Sequence, residues 1–200
     1  MMQPVLVIFA TRYDPVTFRT HCIARRLLVS AEQLGIATLP LFETAATGAG
    51  LLEAAASRPT VLALYSHGDA GGAVLAQNQQ PCWTEEAIPD LSAIVLFAHA
   101  CRGVRWLEAQ ACHHKARLLV GYEGDPISPA NGSDEFWAIY EEIHSFVPRS
   151  LAAGVDSARV RLEFYGLCTK HLHELDVGRA PLIELVALLQ SRDELRFVEP

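Results

Sequence analysis

Four nearly continuous apolar runs, Val5–Ala10, Thr60–Tyr65, Ala93–Ala98 and Arg117–Tyr122, constrain this chain more than any other feature. None alternates with polar residues, so a sheet built from them must be covered on both faces, as parallel sheets are. Between them lie segments of a different period. From Val16 to Leu34 the positions Phe18, Cys22, Ile23, Leu27, Leu28 and Leu34 recur at helical spacing, and Gly35 is placed to end the helix. Thr38–Phe42 reads as a shorter strand, Leu51–Ala56 as a short helix and Val104–Ala116 as another helix. Ala73–Ala76 and Cys82–Thr84 read as a small hairpin, and Glu85–Leu91 as a turn or short helix. Beyond the loop Glu123–Gly132 come three helical stretches, Ser133–Val147, Ser150–Leu175 and Pro181–Leu195, and then Leu195–Val198 as a short edge strand. Strands alternating with helices make parallel βαβ units. The expectation is one α/β domain over residues 1–200: a three-layer sandwich with a mostly parallel central sheet of about five or six strands flanked by helices.

Composition excludes several functions. Half of the 200 residues are apolar, enough for one core without metals or disulfides. The formal net charge is -7 and the 16 Lys and Arg are scattered, so no footprint for nucleic acid or an acidic membrane is expected. The N-terminal stretch lacks the basic segment of a secretory signal, and no apolar run approaches the roughly 20 residues of a membrane span. Five cysteines without regular spacing suggest reduced thiols and a cytoplasmic protein.

Chemistry gathers at two strand ends. Thr60–Tyr65 runs into Ser66-His67-Gly68-Asp69-Ala70-Gly71-Gly72, and Ala93–Ala98 into His99-Ala100-Cys101-Arg102-Gly103. The C-terminal edge of an open α/β sheet is where ligands and reacting groups collect. A thiol with pKa near 8.5 is mostly protonated at neutral pH, so a nucleophilic Cys101 needs a base, and His67 can serve. Gly68 has no Cβ, so its amide can approach a substrate carbonyl and, with the Cys101 amide, form an oxyanion hole. No cofactor is needed for such chemistry.

These two blocks resemble caspases. Tyr65-Ser66-His67-Gly68-Asp69-Ala70-Gly71 is similar to the caspase Ser-His-Gly loop, and four residues of His99-Ala100-Cys101-Arg102-Gly103 match the caspase Gln-Ala-Cys-Arg-Gly block. Caspases carry the histidine about 50 residues before the cysteine; here the interval is 34 residues. A fainter similarity runs on through Leu119–Tyr122 to Phe136-Trp137, the region that shapes the caspase specificity pocket. Related groups, including metacaspases and bacterial CHAT-domain proteases, place similar pairs after consecutive strands. The resemblance implies a caspase-like fold and a cysteine peptidase acting on a protein or peptide, with His67 and Cys101 catalytic. It also implies a pocket near His99, Tyr122, Glu123 and Asp125. His99 stands where caspases have glutamine, and Glu123–Ala130 holds no arginine, so a substrate aspartate is not favoured. Glu123 and Asp125, if they face the pocket, favour Arg or Lys before the cleaved bond.

Other readings compete. His99 is either a pocket wall or a buried histidine satisfied by backbone groups. Cys22, Cys82, Cys112 and Cys168 read as packing residues. Neither Cys112-His113-His114 nor Cys168 with His171 and His173 has a recognised zinc spacing. The same fold could serve as a catalytically silent adaptor, and Gly68–Gly72 could cradle phosphate, although neither nucleotide-binding glycine pattern is present. Only one helix separates Cys101 from the next strand, so control by a regulatory partner is expected rather than cleavage of a linker. The Leu195–Val198 edge offers a route to a homodimer.

Overall fold

The computed structural model describes residues 5–69, 73–83, 90–111 and 116–199, the side chains of 109–111 excepted. Part of the glycine loop (70–72), most of the Glu85–Leu91 turn and Cys112–Lys115 lie outside the described residues. In chain order the elements are β1 (Leu6–Ala10), α1 (Pro15–Gln33), β2 (Thr38–Phe42), a 3-10 turn (Glu43–Ala45), α2 (Gly48–Ala56), β3 (Val61–Tyr65) and β4 (Val95–His99). They continue with α3 (Gly103–Ala111), β5 (Leu118–Tyr122), α4 (Asp134–Ala152), α5 (Ser157–Val177), α6 (Leu182–Glu194) and β6 (Leu195–Val198).

The six strands form one sheet in the order β2-β1-β3-β4-β5-β6, all parallel except β6, which runs antiparallel to β5. Every residue of β1, β3, β4 and β5 is buried. Alternation sorts them into two cores: Leu6, Ile8, Val61, Ala63, Val95 and Phe97 join α1, α4, α5 and α6, while Val7, Phe9, Leu62, Leu64 and Leu96 join α2, α3 and the segment around Val74 and Trp83. That makes the expected three layers. The sheet has two edges, β2 and β6; on β2 exposed Pro40 removes a donor from the ladder and blunts further pairing. Gly68 bridges Val74, and Leu75 bridges Pro81, as the core of the small hairpin. Among the described residues no helix is long and apolar enough to cross a membrane.

The helical boundaries depart from expectation at one place. The sequence pattern stops a helix at Val147 and restarts it at Ser150, but α4 runs through Pro148 to Ala152 and ends at Gly154, whose φ of +82° suits a residue without Cβ. A proline inside a helix leaves the carbonyl four residues earlier without its N–H partner. That carbonyl belongs to His144, and the Tyr65 hydroxyl donates to it at 2.9 Å. Burial holds Tyr65 well above the usual phenol pKa, so it stays a donor. Tyr65→Phe should therefore strand a buried acceptor and lower stability by about 1–3 kcal/mol in urea unfolding; an unchanged midpoint would show that α4 tolerates Pro148 without this bond.

The chain passes from β1 outward to β2, then back across to β3 on the other side of β1. The loops after β1 and β3 thus diverge and leave a crevice at the carboxyl edge, the usual ligand position in such sheets.

Candidate functional site

Strand register brings the two loops together. β3 and β4 pair from Val61 opposite Val95 to Tyr65 opposite His99, an offset of 34 residues, and the same offset separates His67 from Cys101. The ladder continues past the strands, since the Ser66 N–H donates to the His99 carbonyl at 3.3 Å. His67 and Cys101 therefore leave neighbouring strands at equal height, where strands lie about 4.8 Å apart. Gly68 follows at once, so close to Cys101 that a Cβ on it would collide with the Cys101 carbonyl oxygen and stand 3.2 Å from the Cys101 nitrogen.

A third group enters from the other side of the crevice. Asp14, at the end of the loop after β1, divides its carboxylate between two tasks. Oδ1 accepts the Thr17 N–H at 2.8 Å and caps α1, whose first residue is Pro15. Oδ2 lies 2.7 Å from His67 Nε2. Sequence reasoning missed Asp14, because the two residues are 53 positions apart. The Asp14-Pro15 pair ahead of a helical pattern was a readable cap signal; the carboxylate's second partner was not. The loops are fastened beneath this bond: Thr11 N–H donates to the Tyr65 carbonyl at 3.2 Å, and the Thr11 and Ser66 hydroxyls meet at 2.7 Å.

Charge is set accordingly. Burial pushes the Asp14 carboxyl up, but hydrogen bonds from the Thr17 amide, the His67 ring and the Thr17 hydroxyl outweigh it and hold it below the usual carboxylate range. The ring leaves Nδ1 without a hydrogen bond among the described residues. With the Nε2 proton facing Asp14, Nδ1 carries the lone pair, a tautomer assigned from its partner. Burial and then the Asp125 carboxylate push the Cys101 thiol up, while hydrogen bonds from the Gly68 and Cys101 amides, and the Arg102 charge, pull the other way. The balance of these influences leaves the thiol protonated at rest. No hydrogen bond joins the ring to the thiol in this arrangement.

Arg102, in the left-handed region at φ +54°, braces the site: its N–H donates to the Gly124 carbonyl at 2.8 Å and its guanidinium pairs with Asp125 at 3.2 Å. Gln190 of α6 holds the same loop through the Asp125 carbonyl and the Ile127 N–H, each at 2.8 Å. Glu123 pairs with Arg196 at 2.8 Å and with Arg105 at 3.9 Å. Both carboxylates read as candidates for a basic substrate side chain therefore have arginine partners within the chain.

Two other pocket candidates lie deeper. His99 and Tyr122 are buried, His99 at 2% exposure, in a cluster with Tyr65, Tyr140 and His144. Among the described residues neither ring nitrogen of His99 has a hydrogen-bond partner, and burial lowers its pKa to about 4, its own main chain acting the other way. His99 is thus buried, but not satisfied by backbone groups. The Tyr122 hydroxyl bonds His144 Nδ1 at 2.6 Å.

No family model, no curated protein and no solved structure matches the chain.

Proposed function

We propose that the chain is a cysteine peptidase of caspase-like type, with Cys101 as nucleophile, His67 as proton-transfer group and Asp14 as the carboxylate that orients the imidazole. The observation that carries this reading is the shared 34-residue offset, by which His67 and Cys101 leave neighbouring strands at equal height with Gly68 packed against the Cys101 main chain. The steps balance with these groups alone. His67 Nδ1 takes the thiol proton as sulfur bonds the substrate carbonyl carbon, and the Gly68 and Cys101 amides hold the oxyanion. The C–N bond then breaks, the amine leaves with the proton from His67, and a thioester remains on Cys101. Water, deprotonated by His67, adds to that thioester; the C–S bond breaks, the thiol recovers its proton and a carboxylic acid departs. A resting thiol with a raised pKa fits a base that acts once substrate is in place.

The test is a peptide-library assay on the purified chain, read by mass spectrometry. Cleavage supports the reading; a library left intact, with Cys101 alkylated no faster than the other cysteines, would favour the silent adaptor. The same assay addresses substrate preference, since a basic side chain must compete with Arg102 and Arg196 for Asp125 and Glu123.

Asp14 can be tested apart from its capping role. Asparagine caps helices as well as aspartate does. Asp14→Asn should therefore keep the thermal midpoint yet lower kcat by about 10–100-fold, less than the ~10⁴ of a serine triad with a buried aspartate. Asp14→Ala should add a stability loss of about 1 kcal/mol. Full kcat in the asparagine variant would remove Asp14 from the site.

A further inference from the structure

Helices α1 and α4 pack side by side on one face of the sheet, far along the chain from each other. Their seam begins where the Arg19 guanidinium lies 4.3 Å from the Trp137 ring centre. Further along it opens into a groove of about 650 Å³, lined among others by Cys22, Arg25, Arg26, Gln33, Glu141 and Arg149. A second hollow of about 410 Å³ shares Ser30, Gln33 and Arg149 with the first. Arg25-Arg26 and Glu141 lie far apart in the sequence; the packing of α1 on α4 puts them in one concavity.

The charge of this groove differs from its surroundings. Elsewhere several arginines meet carboxylates, among them Arg12 with Glu43, Arg58 with Asp90, Arg159 with Glu163 and Arg192 with Asp193, while Arg117, Arg161 and Arg179 form no ion pair among the described residues; what sets the groove apart is that three such arginines share one concavity. Among the described residues Arg25, Arg26 and Arg149 form no ion pair, and Arg149 rests instead near the Phe146 ring. Glu141 is the one carboxylate lining the groove. Burial pushes Glu141 up, and the charges of Arg26 and Arg19 act against that. Three arginines against one glutamate leave a surplus of about two positive charges in a chain of formal charge -7. A guanidinium is the side chain whose paired donors match phosphate oxygens. A pyrophosphate group supplies two or three negative charges in a compact span, and the hollow is of the size that small-molecule ligands occupy.

We propose that this groove is a binding site for a small organic polyphosphate, its phosphoryl oxygens bridged between Arg25 and Arg26 of α1 and Arg149 of α4, with Ser30 and Gln33 as neutral hydrogen-bonding partners. The site lies apart from Cys101 and its occupancy is independent of peptidase activity.

Sodium pyrophosphate is the probe, titrated calorimetrically into the full chain at about 50 mM salt, where surface electrostatics are still weakly screened. Saturable binding should appear, weakened at least about tenfold by Arg26→Gln and by Arg149→Gln. Arg161→Gln, an exposed arginine on α5, should leave the affinity unchanged. All three positions have solvent-facing or half-buried side chains, and thermal midpoints check that the variants fold. The absence of binding up to about 10 mM pyrophosphate would overturn the proposal. So would equal weakening by Arg161→Gln, which would mean diffuse charge attraction, or arginine-dependent binding of an acidic octapeptide in place of pyrophosphate.

Discussion

Cys101→Ala should lower peptide cleavage by at least about 10³-fold, because no other group in the site can form the thioester and what remains is substrate positioning and the oxyanion donors. The variant should fold: the side chain is only partly buried, on a loop past the end of β4, and losing one sulfur there should change stability by less than about 1 kcal/mol. Differential alkylation gives a second reading that needs no substrate. Cys82 and Cys168 are buried, burial pushing Cys168 up to about 12, so Cys101 and Cys22 should account for labelling of the described thiols in the native protein. The Cys101 label should appear faster as pH rises, since the resting thiol is held protonated. Because the ring makes no hydrogen bond to the resting thiol, His67→Ala should leave the labelling rates of Cys101 and Cys22 unchanged while abolishing cleavage. Cleavage that persists in Cys101→Ala would end the assignment, whatever the labelling shows.

Much of this geometry was legible because it depends on local pattern. Val5–Ala10 and Thr60–Tyr65 have no polar alternation, and runs of that kind have one stable home, a sheet covered on both faces. With β3 and β4 adjacent, His67 and Cys101 fall at strand ends by simple counting. Pro148 misled because its meaning is not local. It reads as a stop unless something supplies the missing donor, and the donor is Tyr65, 79 residues before the His144 carbonyl that it serves. Asp14 was hidden for the same reason: the capping role is encoded within four residues, whereas its contact with His67 follows from the crossover that sets β1 beside β3. Glu123 and Asp125 were recognised as acidic, but their partners Arg196 and Arg102 become visible only when β6 lies against β5 and the loops meet. Periodicity fixes which face a residue takes; long-range pairing decides what that face touches.

Those same pairings join the site to the C-terminal part of the chain. The 123–127 segment is tied to Arg102 on one side and to Gln190 and Glu194 of α6 on the other, the latter through the Glu123 N–H at 3.2 Å from the Glu194 carbonyl. Asp125, which helps keep the thiol protonated, belongs to this segment. A shift of α6 would therefore move a charge that acts on the Cys101 thiol.

Gly68→Ala isolates the contribution of the main-chain donors, and it should reduce kcat/KM by at least about 100-fold, the typical effect of losing one oxyanion donor. The reason is space rather than backbone strain. Gly68 is not among the residues with positive φ, so alanine can adopt its conformation. The added methyl, however, would overlap the Cys101 carbonyl oxygen and lie 3.1 Å from the Cys101 carbonyl carbon, and these are main-chain atoms that cannot swing aside. The two loops must part, and the Gly68 amide moves away from Cys101. Two effects should then appear together: slower turnover, and a Cys101 alkylation rate reduced at any given pH because the amide's lowering influence on the thiol pKa is weakened. The contact lies at the rim of one core, beside Val74 and Ala100, and the other core is untouched, so the fold should survive and the thermal midpoint should fall far less than activity does. If Gly68→Ala cleaves peptides at the wild-type rate, the amide next to Cys101 holds no oxyanion, and the chemistry must be supported from somewhere else.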